Sequence, residues 1–367
     1  MNKRVLHISD ANDSSGGGIY FYLKEFINIQ KKSGIDCHWI SIKNNNLVLK
    51  EKELIDKIIK ITPDIIHIHG IWSLSTWIIP KLKNITKNII VSPHGMLNKE
   101  SLRKSYLGKK GLLKNFKKRV YLLFFEKNNL NQIKSFHALT EEESCEIRSI
   151  FPDKPIKIIS TGFKGINSKL NYKVKNNLIN IFKKPRKILL FIGRLDHQKG
   201  LIELISAWNK IVYHAEIYDW WLLIAGFGPL KKTVIKHANR SNSRIIFNGP
   251  TFGEEKNFIL DNSKGFILPS YNEGLPVSVL EALSYETTCL ISKNCNMKNL
   301  FISRISLKIK ISKSENNIEE MLMKLFLLSE DDLKKREQLG LKYIENYHKW
   351  DKIISETNTL YNDLYNN

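Results

Sequence analysis

PSYNEGLPVSVLEAL, from Pro269 to Leu283, places two glutamates, Glu273 and Glu281, eight positions apart. The run Gly265–Pro269 before them reads as a short apolar strand, and a helical pattern follows Pro276. Gly274, Leu275 and Pro276 close the intervening loop. Pro276 suits the first helical position, where its missing N–H would go unused. Glu281 then falls in the second turn. Helical side chains lean toward the N-terminus, so its carboxylate reaches back toward the mouth that holds Glu273. That mouth also offers unpaired N–H groups and the positive end of a helix dipole. Two hydroxyl-accepting carboxylates beside an anion cradle suit a sugar joined to a phosphate. A capped surface helix with scattered acids shows the same spacing. The preceding strand separates the two readings, because ligands of open α/β sheets bind beyond the strand C-termini.

A second loop of the same kind lies upstream. ILLFIGRLD, after Lys187, reads as a buried strand running into Arg194, and the loop ends at Lys199-Gly200. Two basic residues after a strand-end glycine and before a helix can reach one anion together. ILPSYNEGLPVSVLEAL and GRLDHQKG together resemble the signature of the large retaining glycosyltransferase family 4 (group 1), which includes bacterial O-antigen, capsule and lipopolysaccharide enzymes. The resemblance implies an α/β architecture of the GT-B type, two Rossmann-like parallel-sheet domains facing each other across a cleft. It implies that Arg194 and Lys199 hold the leaving diphosphate, with the amides of Gly274 and Leu275 and the turn at Pro276 completing the donor site. It further implies that Glu281 binds the ribose, that Glu273 holds the reacting sugar, and that the Thr251–Phe252 edge reads the base.

The chain opens with the strand Arg4–Ser9, then Ser14-Ser15-Gly16-Gly17-Gly18, then a helical pattern from Ile19 to Gln30. Backbone without side chains lets a diphosphate approach closely, and Gly17-Gly18 match the family's phosphate-contacting pair. Short apolar runs at Cys37–Ile42, Asp64–His69, Asn88–Ser92, Ser135–Leu139 and Ile156–Ser160 continue a βαβ rhythm. Two of them lead into His69-Gly70 and His94-Gly95. SPHGML around His94 resembles the family's sugar-facing histidine loop, so His94 is favoured over His69. Thr140 and Glu143 read as a capping box without a catalytic role. The expected division is 1–169 for the acceptor-side domain, 170–186 for an irregular linker, 187–346 for the nucleotide-sugar domain and 347–367 for a final helix crossing back to the first.

Composition bounds the partners. The 367 residues carry a net charge of +22, which favours an anionic partner or reflects a Lys/Asn/Ile-rich genome. The stretch 101–130 concentrates nine Lys/Arg against one acid, interleaved with Tyr, Phe and Leu. Either it is a solvated helix face, or Lys114, Lys117, Lys118 and Arg119 lie against an anionic membrane surface. Four scattered cysteines, no secretory h-region and no membrane-length apolar run fit a cytoplasmic protein, peripheral on the inner face of the membrane. There is no Asp-x-Asp, so no metal and no cofactor is expected, the nucleotide sugar being a substrate. The resulting expectation is a metal-independent, retaining transferase moving a hexose or N-acetylhexosamine from a nucleotide sugar, UDP-linked by family association, to a lipid-linked or lipopolysaccharide-type glycan. A soluble enzyme acting on a small sugar or sugar phosphate is the nearest alternative. A basic nucleic-acid-binding protein on an α/β fold is the alternative of another class. The intact Arg194, Lys199, Glu273 and Glu281 set and the lack of a nucleic-acid motif oppose it.

Overall fold

The structure is a computed structural model and describes residues 3–10, 17–44, 47–98, 120–163, 172–184, 186–312 and 315–366. The chain divides into two compact units, Met1–Gly162 with Tyr347–Asn367, and Phe163–Asn346.

The first unit is built on a six-stranded parallel sheet. Its strands are β1 (Arg4–Ser9), β2 (Asp36–Ser41), β5 (Ile65–His69), β6 (Ile89–Ser92), β7 (Ser135–Ala138) and β8 (Ile156–Ile158), in the order β2-β1-β5-β6-β7-β8. A two-residue antiparallel pair, β3 (Lys43–Asn44) and β4 (Leu47–Val48), stands beside it. β1, β5 and β6 are buried along almost their whole length, as strands covered on both faces must be. The helix Gly17–Lys32 covers one face with Leu23, Phe26 and Ile27. The C-terminal helix Trp350–Asn366 packs into the same cluster with Ile353, Leu360 and Tyr361. Trp350 stacks on Phe26, its ring centroid 6.0 Å away, and its indole N–H donates to Glu25 Oε1 at 3.1 Å.

The second unit repeats the plan. β9 (Lys187–Ile192), β10 (Trp220–Ala225), β11 (Ile245–Gly249), β12 (Gly265–Leu268), β13 (Thr288–Ser292) and β14 (Leu307–Ile309) form a parallel sheet ordered β11-β10-β9-β12-β13-β14. The SLKIKIS alternation predicts an edge strand. β14 is that edge, with Lys308 outward between buried Leu307 and Ile309.

Two local expectations are corrected. The stretch read as an irregular linker contains a helix, Asn176–Phe182, within the second unit. Its Leu178 is buried, and the rings of Phe182 and Tyr172 both meet Phe258 edge-on, so apolar contacts hold what the Lys/Asn composition suggested was loose. Pro276 is the N-cap of the helix Val277–Ser284 and not its first residue. Its ψ of 99° is extended, outside the helical range.

Candidate active site

In the second unit the site begins where β9 ends. The chain passes Arg194, makes a 3-10 turn at His197–Lys199 and enters the helix Leu201–Ile211. Asp196 caps that turn by accepting the Lys199 N–H at 3.2 Å. Gly200 has φ 66°, and a Cβ there would lie 2.0 Å from the Pro269 carbonyl oxygen, so only glycine allows this approach. The loop after β12 is then tied to the loop after β9. Tyr271 N–H donates to Gln198 O at 2.8 Å, Gln198 Nε2 donates to Asn272 O at 2.9 Å, and the Tyr271 hydroxyl donates to Glu203 Oε1 at 2.9 Å. Burial and the Glu203 carboxylate push the Tyr271 phenol up, which keeps it a donor.

These ties bring two predicted residues together. Lys199 Nζ donates to Glu273 Oε1 at 2.6 Å, and Ser270 Oγ donates to the same oxygen at 2.5 Å. The two side chains are only 19% and 10% exposed. A charge-assisted bond with so little water around it is stronger than a surface pair. The Glu273 backbone is held as well, its N–H on Asn294 O at 3.1 Å and its carbonyl under Asn296 Nδ2 at 2.8 Å.

Arg194, Glu281 and Thr251 have partners of their own. Arg194 Nε donates to Asp196 Oδ2 at 2.6 Å with its side chain 59% exposed. Glu281 lies in the second turn of its helix and accepts from Lys256 Nζ at 2.5 Å. Lys256 comes from the helix Gly253–Asp261 and was not legible as a partner, since no spacing rule links positions on different helices. Thr251 is buried. Its hydroxyl accepts from Asn248 Nδ2 at 3.0 Å and donates to Gly249 O at 3.2 Å, so the side chain is occupied within its own loop. Gly274 and Leu275 are half-buried, directly before Pro276.

In the first unit, Gly17 and Gly18 form the first turn of the helix Gly17–Lys32. A Cβ on Gly18 would meet nothing within 4 Å, so packing does not require glycine there. His94 follows β6 with φ 52°, a left-handed conformation uncommon outside glycine. The turn is pinned by Glu143, which the sequence reading set aside. Glu143 Oε1 accepts the Gly95 N–H at 2.6 Å and Oε2 accepts the Leu139 N–H at 2.8 Å. Thr140 does cap its helix, accepting the Glu143 N–H at 3.1 Å. The reciprocal half of the capping box is replaced by those two contacts.

His94 is half-buried and its Nε2 lies 3.1 Å from His69 Nδ1. His69 Nε2 in turn lies 3.0 Å from His7 Nδ1. Burial, reinforced by His137, holds the His94 imidazole down to about 3. It is therefore neutral at physiological pH.

Lys114, Lys117, Lys118 and Arg119 lie outside the described residues. Just after them, Phe124 and Phe125 are 71% and 51% exposed, and the Phe125 ring stacks on half-exposed Trp77 with centroids 6.2 Å apart. The one acid of that stretch, Glu126, points inward and accepts the Trp72 N–H at 3.0 Å. No helix among the described residues is long and apolar enough to cross a membrane.

Residues 174–345 match the family model described as glycosyl transferases group 1. Over 240 residues the chain is 25% identical to an uncharacterized glycosyltransferase of Methanocaldococcus jannaschii, covering 62% of this chain and 57% of that protein. Over 120 residues it is 30% identical to the UDP-Gal:alpha-D-GlcNAc-diphosphoundecaprenol alpha-1,3-galactosyltransferase of Escherichia coli, covering 31% of each. The matches thus span less than two thirds of either relative. Among solved structures it resembles sucrose-phosphate synthase from Thermosynechococcus elongatus, with a TM-score of 0.75, 16% identity and 99% of both chains covered. The two six-stranded parallel sheets and this likeness establish the two-domain α/β fold called GT-B.

Proposed function

We propose that this protein is a retaining glycosyltransferase that moves a hexose or N-acetylhexosamine from a UDP-linked donor to a lipid-linked or lipopolysaccharide-type glycan. The observation that carries the reading is the Lys199–Glu273 ion pair at 2.6 Å, formed between the two loops at the C-terminal edge of the second sheet and inside the matched region 174–345. Breaking an anomeric C–O bond places negative charge on the departing diphosphate and oxocarbenium character on the ring. Lys199 and Arg194 supply preorganised positive charge for the first, and the Glu273 carboxylate answers the second. Glu281 is assigned the ribose hydroxyls, the Thr251 loop the base, and Gly17, Gly18, Gly274 and Leu275 backbone contacts to donor phosphate. Neutral His94 contacts the sugar or the acceptor. With those cations in place the reading is a metal-independent reaction without a cofactor. Retention follows as same-face attack guided by the leaving phosphate.

The lipid-linked acceptor draws support from the similarity to the diphosphoundecaprenol-dependent transferase and from exposed Trp77, Phe124 and Phe125 beside a basic stretch. The same features support a protein acting at the cytoplasmic face of a membrane, with glycan and lipid headgroups and not nucleic acid as its partners. The test is a panel of nucleotide sugars scored for slow hydrolysis without acceptor. Release of UDP from one UDP-sugar is expected, and turnover of none of the panel contradicts the reading.

A further inference from the structure

The first unit holds a line of buried polar groups that the proposed reaction does not yet explain. It starts at the Ile159 carbonyl, which lies 2.8 Å from His137 Nε2. Ser92 Oγ lies 2.9 Å from His137 Nδ1 and 2.8 Å from His67 Nε2. The Tyr361 hydroxyl lies 2.9 Å from His67 Nδ1 and 3.4 Å from Gln30 Nε2. Gln30 Oε1 lies 2.8 Å from His7 Nε2, and the line continues through His69 to His94.

A carbonyl only accepts, so His137 must carry its proton on Nε2. As a neutral ring its Nδ1 is then an acceptor and takes the single Ser92 hydroxyl proton. Ser92 Oγ has no second proton for His67, so His67 Nε2 must be the donor to it. His67 Nδ1 accepts from Tyr361, whose oxygen accepts from the Gln30 amide. Gln30 Oε1 therefore faces His7 and accepts from His7 Nε2. His7 Nδ1 accepts from His69 Nε2, and His69 Nδ1 accepts from His94 Nε2. The opposite polarity fails at Ser92, where two imidazole lone pairs would face one hydroxyl proton.

We infer that this hydrogen-bond line, anchored at the Ile159 carbonyl, fixes His94 as the Nε2–H tautomer and leaves its Nδ1 as an acceptor for a substrate hydroxyl. His7, Gln30, His67, His69, Ser92, His137 and Tyr361 are then positioning residues. The tautomer assignment stands without the transferase reading. The use of Nδ1 toward a hydroxyl rests on it. Burial supports the neutral state throughout, holding His7 and His137 down to about 4 and His67 and His69 well below the ordinary value. Among the described residues His7, His67 and His69 also form one group with ligand-type atoms within 4.8 Å of one another. In this polarity each of their lone pairs already accepts a proton, so a metal would have to break the line.

The test is long-range 1H–15N correlation of the full chain with labelled histidine at pH 7, wild type beside Gln30→Leu. Five neutral Nε2–H imidazoles are expected in wild type. Gln30→Leu should give a tautomer mixture at His94 and a kcat for the proposed transfer reduced about tenfold or more, with unchanged affinity for UDP. A protonated or Nδ1–H form at any of the five overturns the inference. So does zinc binding that shifts His7, His67 and His69 together, or an unaltered His94 in Gln30→Leu. Should no donor be turned over at all, the wild-type spectrum still decides the tautomers, while the transferase reading falls separately. His69→Asn, which can pass the same polarity through its amide, should retain more activity than His69→Leu, and equal loss counts against the line.

Discussion

Lys199 Nζ sits 2.6 Å from Glu273 Oε1, joining residues 74 positions apart in sequence at one sheet edge. The cation assigned to the diphosphate is thus paired with the carboxylate assigned to the sugar. Under the proposed assignment, a diphosphate arriving at Lys199 would compete with Glu273 for the ammonium.

The two glutamates should separate kinetically. Glu281 is assigned hydroxyls that would not change in the proposed reaction, so Glu281→Gln should weaken affinity for UDP and donor and show mainly in KM. Glu273→Gln removes the charge assigned to the developing cationic ring and also releases Lys199. It should depress kcat strongly while UDP affinity holds or improves. Calorimetry with UDP beside steady-state kinetics decides the matter, and loss of UDP affinity in Glu273→Gln alone reverses the assignment.

Arg194 and Lys199 are expected to serve where other transferases place a cation. Donor turnover should persist in excess EDTA. Lys199→Ala and Arg194→Ala should each lower kcat about a hundredfold or more, the size of losing one preorganised donor to developing charge. An absolute Mg²⁺ or Mn²⁺ requirement would overturn both roles.

Vesicle binding tests the basic stretch. Co-sedimentation with anionic vesicles should weaken as salt rises, because exposed charges are screened beyond about 8–10 Å at physiological ionic strength. Exchanging Lys114, Lys117, Lys118 and Arg119 for Gln, or Phe124 and Phe125 for Ala, should reduce binding and leave donor hydrolysis intact. Undiminished binding by both variants returns the stretch to a solvated face.

Acid should destabilise the first unit well above the carboxylate range. His7, His137 and His348 are held down to about 4 and His94 to about 3, chiefly by burial, against an ordinary value of 6.5. Below pH 6.5 the unfolded chain gains protons that the folded chain refuses until near pH 4, so stability falls as pH falls through that window. Buried Glu126 and Glu143 are raised and act in the opposite sense, but they are fewer. Thermal melts should give a Tm that drops between pH 7 and pH 5, and a flat or rising Tm contradicts the buried neutral line.

Glu143 should matter for stability although it is assigned no chemistry. Glu143→Gln leaves one of two buried N–H groups facing an amide nitrogen, at a cost of about 1–3 kcal/mol. Urea unfolding measures it, and a change near zero would show that the His94 turn holds without this anchor.

Local periodicity sufficed for the strands of the first six-stranded sheet, for β9 and β12, for the edge position of β14, and for the loops carrying Arg194, Lys199, Glu273 and His94, because strand burial and strand-end loops are written in consecutive residues; the short β3/β4 pair was not among them. It failed at Asn176–Phe182, where tertiary contacts to Phe258 stabilise a helix that composition disfavours. Pairing lay wholly beyond it. Lys256 against Glu281, Ser270 and Lys199 on one oxygen of Glu273, and Glu143 under Gly95 join side chains from separate elements, and a hydrogen bond reports distance in space and not along the chain. The histidines show the division most clearly. His7, His67, His69 and His137 are visible in the sequence as polar residues inside apolar strands. Only the parallel register, which sets His7 beside His67 and Ser9 beside His69, turns them into one line with a direction that ends at His94.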